Sequence, residues 1–180
     1  MHSIRLQTSR AIVVRAASAV LLGMLAFAWP WPTVRAAGLL FALYTLIDGS
    51  AAIAFATPRR GSPSWELIVE GTTGIAFALL ALVAAFTDVT VLAFVVGLWA
   101  VMAGAFRFSA AAVSRRLTLV RPLVLGGGLA TVALGAIVLS TPAIATASLM
   151  RVVGIYGLLF GAIHAMVALR IRRYAFNVAT

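Results

Sequence analysis

The sequence contains no cysteine and no lysine, and it has few charged residues of any kind. Without cysteine, the chain has no disulfide, no thiolate metal site and no thiol nucleophile. Charged residues make up 10% of the chain, whereas a typical soluble domain has about 25%. So few charges cannot cover a surface that faces water on all sides. The composition therefore excludes a soluble enzyme.

Apolar residues dominate what remains, at 63% of the chain with a mean hydropathy of +1.11. They fall into six runs of about 20 residues, the length that a helix needs to cross a bilayer. The predicted spans are 11–30, 36–56, 65–86, 90–112, 122–141 and 147–169. The first run is longer than the apolar part of a signal peptide, about 7–15 residues, so we expect it to be retained. The sequence predicts an all-α six-helix transmembrane bundle, one integral membrane domain over residues 1–180.

The basic residues are all arginines, and they lie mostly on one side of the predicted membrane. Short joins make neighbouring spans antiparallel. Arg35 and Arg151 then lie on one side and Arg107 lies inside a span. Eleven lie on the other side: Arg5, Arg10, Arg15, Arg59, Arg60, Arg115, Arg116, Arg121, Arg170, Arg172 and Arg173. The positive-inside rule predicts a multi-pass protein of the bacterial inner membrane with both termini in the cytoplasm. Because the net charge of +10 is explained by topology, we expect no nucleic-acid partner.

The even-numbered spans carry a repeated pattern. An aromatic residue is followed five positions later by glycine, and an arginine lies eleven residues beyond that glycine. The three pairs are Tyr44/Gly49, Trp99/Gly104 and Tyr156/Gly161. The pattern predicts three repeated helical hairpins, at about 11–60, 65–116 and 122–173. We expect the three glycines to pack helices closely and the aromatic residues to lie between helices.

Three stretches resemble the HdeD family of small bacterial membrane proteins. They are residues 38–49 (GLLFALYTLIDG), 96–104 (VGLWAVMAG) and 153–161 (VGIYGLLFG). The second and third have a glycine two residues before the aromatic one, whereas the first departs from this pattern. The resemblance implies a six-span inner-membrane protein linked to acid resistance or envelope integrity. The family offers no agreed catalytic or binding residues to transfer.

Four ionisable residues inside the spans form a candidate intramembrane polar cluster, because charges in a span are costly and are functional candidates. They are Asp48, Glu70, Arg107 and His164. Glu70 and Arg107 lie at similar depth in one predicted hairpin, which predicts that they pair. His164 is expected to hydrogen-bond a neighbouring helix. Three interpretations stay open: an ion pair that fixes helix register, a pathway for protons, and a site for a small polar ligand or lipid headgroup.

Known catalytic and cofactor motifs are missing from the sequence. Nothing resembles a Walker loop, an HExxH helix or a GxSxG elbow, so we expect no catalytic residue, no cofactor and no metal. Gly126, Gly127 and Gly128 lie inside a span and indicate close packing or helix flexibility. The sequence favours a stress-tolerance protein that is not an enzyme. The alternatives are a small channel or proton-coupled transporter, and a structural partner subunit. The expected partners are membrane lipids and either further copies of the chain or other membrane proteins.

Overall fold

The computed structural model describes residues 2–28, 33–56, 65–113, 121–141 and 146–177. Side chains are described for residues 13–28, 33–54, 56, 65–112, 121–141 and 146–169. The described residues form six helices and no strand. The helices are α1 (His2–Ala28), α2 (Val34–Ala56), α3 (Trp65–Ala84), α4 (Val89–Val113), α5 (Arg121–Ser140) and α6 (Thr146–Asn177). The prediction of an all-α chain is confirmed.

Five of the helices, α2 to α6, are long and apolar enough to cross a membrane. The described side chains of α1 give a shorter apolar stretch, Val13–Ala28. Large apolar side chains point outward on all of these helices: Leu43, Val83, Leu129 and Leu159 are each more than half exposed. An outer surface of this kind is suited to lipid and not to water. The fold is therefore that of a multi-pass membrane protein.

The closest backbone contacts join α2 to α3, α4 to α5 and α6 to α1. A methyl group placed on Gly49 would lie 2.7 Å from the carbonyl oxygen of Gly71, and one on Gly104 would lie 2.7 Å from that of Gly128. On Gly161 it would lie 3.1 Å from the carbonyl oxygen of Ala16. Each repeat glycine thus lies against an odd-numbered helix. These contacts join helices from different predicted hairpins, whose boundaries stay a prediction.

The centre of the bundle is formed by the three repeat aromatic residues. Tyr44, Trp99 and Tyr156 are all buried. Their ring centroids lie 5.7 Å apart for Tyr44 and Trp99, 5.6 Å for Trp99 and Tyr156, and 6.4 Å for Tyr44 and Tyr156. All three contacts are edge-to-face, the arrangement that aromatic quadrupoles prefer. The predicted placement of these rings between helices is confirmed, and Trp65 is 70% exposed at the start of α3. The sequence favours an interfacial belt for Trp65 together with Trp29 and Trp31, and the last two lie outside the described residues.

Asp88 caps the helix that follows the turn between α3 and α4. Its carboxylate oxygen Oδ1 accepts hydrogen bonds from the backbone N–H groups of Thr90 at 2.7 Å and Val91 at 3.1 Å. These bonds satisfy two of the donors that a helix N-terminus leaves free. They also hold the pKa of Asp88 below its usual value, because the amides stabilise the ionised carboxylate. The turn therefore carries a carboxylate that stays charged in mildly acidic solution.

Candidate functional site: a buried four-charge network

Two arginines and two carboxylates meet inside the bundle, each supplied by a different helix. Arg15 comes from α1, Asp48 from α2, Glu70 from α3 and Arg107 from α4. Asp48 lies about 12 Å before the end of α2, Glu70 about 8 Å after the start of α3 and Arg107 about 9 Å before the end of α4, by helix rise. These helix ends belong to the side where the sequence places most arginines. We call these four side chains the charge network.

Asp48 is the centre of the charge network because it contacts both arginines. Its Oδ1 accepts a hydrogen bond from Arg15 Nε at 2.7 Å, and its Oδ2 accepts one from Arg15 Nη2 at 2.9 Å. Oδ2 also accepts a bond from Arg107 Nη2 at 3.1 Å. The two parallel bonds to Arg15 form the fork geometry in which a guanidinium binds a carboxylate most strongly. Asp48 therefore links three helices through one side chain.

Glu70 completes the network from the opposite side of the arginines. Its Oε1 accepts a hydrogen bond from Arg15 Nη2 at 2.6 Å, and it lies 3.6 Å from Arg107 Nε. The predicted contact between Glu70 and Arg107 is thus present, but it is the longest in the network. Arg15 is the closer partner of Glu70, at 2.6 Å. Each carboxylate contacts both arginines, so the four charges alternate in sign.

The four side chains of the network are buried, so each of their charges needs a partner inside the bundle. The side chains of the network are only 7–10% exposed. The free-energy cost of removing several charges from water is offset only when opposite charges and hydrogen bonds compensate the buried groups. Here two positive and two negative groups compensate each other in full. The network therefore adds no net charge to the interior of the bundle.

The guanidinium of Arg107 also contacts the aromatic centre. Its Nη1 donates a hydrogen bond to the Tyr156 hydroxyl at 3.2 Å, and its Cζ lies 4.2 Å from the ring centroid of Phe160. Hydrogen bonds and cation–π contacts of a buried guanidinium are each worth about 1–2 kcal/mol. The network is thus tied to α6 through Arg107, although α6 supplies none of its charges.

Replacing Tyr156 by phenylalanine is expected to lower the free energy of unfolding by about 1–3 kcal/mol, because Arg107 Nη1 loses its acceptor. Tyr44→Phe is the matched control, since it removes a ring hydroxyl that does not bond an arginine in the described part of the chain. Unfolding of the purified protein by a stepwise increase of denaturing detergent measures both. Equal losses in the two variants would show that the Arg107–Tyr156 bond has no special role.

His164 lies beside the network but is not bonded to it. Its Nδ1 hydrogen-bonds the carbonyl oxygen of Phe160 at 3.0 Å, one turn earlier on the same helix. The prediction of a bond to a neighbouring helix was therefore wrong for this nitrogen. A carbonyl four residues back is always within reach of a helical side chain, and it does not depend on the approach of another helix. The His164 ring lies 4.0 Å from the Phe160 ring, centroid to centroid.

Arg15 is the member of the network that sequence reasoning missed. The predicted topology uses it as one of the eleven arginines that set orientation, but its side chain is only 8% exposed and has the shortest contacts of the network. The signal was present in the sequence, because Arg15 lies inside the predicted span 11–30. Among the arginines of the predicted basic side, Arg121 is described and exposed, whereas the side chains of Arg5, Arg10, Arg59, Arg60, Arg115, Arg116, Arg170, Arg172 and Arg173 lie outside the described residues.

A cavity of about 180 Å³ adjoins the charge network. Arg15, Glu70 and Arg107 form part of its wall, and His164 and Gly127 form another part. The described residues contain no group of three or more histidine, cysteine or acidic side chains that could hold a metal ion. The polar groups of the wall can donate and accept hydrogen bonds, and His164 can exchange a proton. The site is thus suited to binding and to holding helices together.

Comparison with known families gives one match. The model of a short repeat of unknown function (DUF308) matches residues 14–86 and 126–177, together more than half of the chain. The matched segments contain Arg15, Asp48, Glu70 and His164, and they do not include Arg107. We found no curated protein and no solved structure that matches the chain. The chain therefore belongs to the DUF308 family of short repeats.

Proposed function

We propose that this chain is a bacterial inner-membrane protein that crosses the bilayer six times, as three repeated hairpins, with both termini in the cytoplasm. The antiparallel packing of α1 along α6 supports the first crossing. Gly154 lies against Phe27 and Gly161 lies against Val20, so α1 follows a spanning helix over much of its length. The excess of arginines on one side of the membrane, as the sequence predicts it, supports the orientation.

In this orientation the protein has very little on its outer face that acid can titrate. The outer joins of the sequence carry Arg35, Asp88 and Arg151 as their only ionisable side chains. Asp88 caps α4, and its pKa is held below the usual value of about 3.9. A group with a lowered folded pKa stabilises the fold above its unfolded pKa, and it loses this contribution only as pH falls through the folded value. The outer face thus keeps its charge until the pH falls below about 4.

The function that we propose is stress tolerance of the HdeD type, in which the protein supports the envelope during acid exposure and does not act as an enzyme. The single observation that carries this proposal is the closed interior. The four buried charges are paired with each other, and Tyr44, Trp99 and Tyr156 fill the centre of the bundle. We propose that the bundle is a rigid membrane component and not a channel, and that it works alone or with other membrane proteins.

Survival of a deletion strain at about pH 2–3 tests this function. We expect deletion to lower survival and the wild-type chain to restore it. Asp88→Asn should restore it too, whereas Asp48→Asn should fail, because only the second change breaks the charge network. Membrane abundance of each variant is measured in parallel. A deletion strain that survives as well as its parent would remove the acid-stress role and would favour a partner-subunit role.

A further inference from the structure

The cavity beside the charge network is lined at one position of the internal repeat by a residue that has no side chain. The carbonyl oxygens of Ala16, Gly71 and Gly128 contact the three repeat glycines, so these residues occupy equivalent places on α1, α3 and α5. The residues directly before them are Arg15, Glu70 and Gly127. Two of these three places thus hold a charged side chain of the network. The third holds glycine, and Gly127 lines the cavity.

One wall of the cavity is rich in hydrogen-bond donors. Two guanidinium groups carry about ten N–H donors, whereas the two carboxylates of the network offer about eight lone-pair acceptor sites. Arg107 Nε is buried and has no hydrogen-bond partner in the described part of the chain. The Glu70 Oε1 atom of the network is 3.6 Å from Arg107 Nε, beyond hydrogen-bond range. A ligand that presents an acceptor oxygen would meet the guanidinium groups of Arg15 and Arg107 at this wall.

His164 supplies the complementary group. Its Nδ1 bonds a backbone carbonyl, which can only accept, so Nδ1 carries a proton. In a neutral ring the other nitrogen, Nε2, is then an acceptor. The rest of the lining is largely apolar, with Leu67, Val124, Ile163 and Val167. The cavity thus combines a donor wall, an acceptor and space for an alkyl chain.

We propose that this cavity binds a monocarboxylic acid and takes up one proton with each carboxylate. The carbonyl oxygen of the acid accepts a hydrogen bond from Arg107, and its O–H donates to His164 Nε2. The proton either stays on the acid or moves to Nε2, and the added charge is zero in both cases. The alkyl chain lies against the apolar lining. This inference does not depend on the proposed acid-stress role.

The proton is required by the charge balance around His164. The charged groups of the cavity wall beside it are Arg15 from α1, Glu70 from α3 and Arg107 from α4. Asp48 from α2 bonds both of these arginines, so the four charges sum to zero. The described part of α5 presents Val124, Gly127 and Gly128 to the cavity, and α6 itself adds the hydroxyl of Tyr156 near Arg107. A carboxylate that enters alone would be an uncompensated buried charge, which is strongly unfavourable. Binding of the anion is therefore coupled to a proton.

Binding of butyrate to the purified full-length protein in lipid nanodiscs tests the proposal. The apparent affinity is measured by ligand-observed NMR at several pH values, beside butylamine and butyramide as probes. Uptake of one proton predicts an affinity about tenfold weaker for each unit of pH between 7 and 8. Absence of butyrate binding, tighter binding of butylamine, or an affinity that does not change with pH would each overturn the proposal.

Two neighbouring glycines give a matched pair of variants. Gly127→Leu fills the cavity, and we expect it to abolish butyrate binding. Gly126→Leu adds the same side chain one residue earlier, where an added Cβ atom has no neighbour within 4 Å. We expect this variant to bind butyrate as the wild type does. His164→Phe keeps the ring and removes the acceptor, so binding should weaken about tenfold or more. If Gly127→Leu fails to fold, His164→Phe decides the result, and unchanged binding in that variant would overturn the proposal.

The acid can come from solution or from the membrane, and the two sources share the carboxyl group. A sixteen-carbon fatty acid is therefore compared with butyrate in the same nanodiscs. Tighter binding of the long chain, lost in Gly127→Leu, would assign the site to membrane fatty acids. Equal or weaker binding would assign it to free short-chain acids. If butyrate does not bind the wild type, and the long-chain acid still binds Gly127→Leu, then the cavity is not the binding site and the proposal is overturned.

Discussion

Replacing Asp48 by asparagine is expected to lower the free energy of unfolding by about 3–5 kcal/mol, the usual effect of removing one partner of a buried ion pair. The carboxylate accepts three hydrogen bonds from two arginines, and its side chain is only 7% exposed. Asparagine keeps the size but presents one acceptor oxygen and no charge. Arg15 and Arg107 would then share Glu70 alone, which leaves one positive charge uncompensated in the bundle.

Unfolding by a stepwise increase of denaturing detergent, followed by tryptophan fluorescence, measures this loss. Asp88→Asn is the control, because it makes the same chemical change in a turn that is exposed. Arg15→Met combined with Asp48→Leu gives a second comparison. That pair removes one charge of each sign and leaves Arg107 with Glu70, so it should be less harmful than Asp48→Asn alone. An Asp48→Asn variant as stable as Asp88→Asn would mean that the charge network does not hold the helices together.

Replacing Gly104 by leucine is expected to separate α4 from α5 and to prevent stable folding. Even the first carbon of a side chain on Gly104 would lie 2.7 Å from the carbonyl oxygen of Gly128 and 2.8 Å from the backbone nitrogen of Val132. Backbone atoms of a helix cannot shift as a flexible side chain does, so the whole helix has to move. Overpacking of one methylene costs about 1–3 kcal/mol, and a leucine side chain adds several carbons.

Gly126→Leu is the matched control for this prediction as well, because a side chain there meets nothing within 4 Å. Gly104→Ala tests the same contact with the smallest side chain, and we expect an intermediate loss. The amount of protein that stays monodisperse in mild detergent, with its unfolding midpoint, measures all three. A Gly104→Leu variant as stable as Gly126→Leu would contradict the close approach of α4 and α5.

The sequence was sufficient to predict the helices and the central aromatic residues. Apolar runs of membrane length have few alternatives to a helix, and the repeated pattern around Tyr44, Trp99 and Tyr156 predicts that they lie between helices. The helix pairing could not be predicted in this way. Short joins predict that neighbours along the chain pack together, but they do not say whether a helix packs most closely against the one before it or the one after it. The glycines of α2 and α4 face the following helices, α3 and α5, and the glycine of α6 faces α1 at the other end of the chain. Which face a glycine presents to which helix depends on the arrangement of the complete bundle.

The charge network was predictable in its carboxylates and only partly in its arginines. Asp48 and Glu70 stand out because acidic residues are rare in the spans. Arg15 was hidden by its position near the start of the predicted span 11–30, where arginines also act as topology signals. The cavity was not predictable, because its walls come from several helices, with Gly127 among the lining residues. The equivalence of Gly127 with Arg15 and Glu70 is recognisable only from the contacts between helices.

Proton flux across liposomes that contain the purified protein tests the central claim, a closed bundle held by paired charges, most directly. The liposomes carry a pH-sensitive dye and a pH gradient, without carboxylic acids in the buffer. Wild-type protein is predicted to conduct protons no faster than liposomes without protein. A flux well above that background, abolished by Asp48→Asn or His164→Phe in correctly folded protein, would contradict the account and would establish a proton pathway through the charge network.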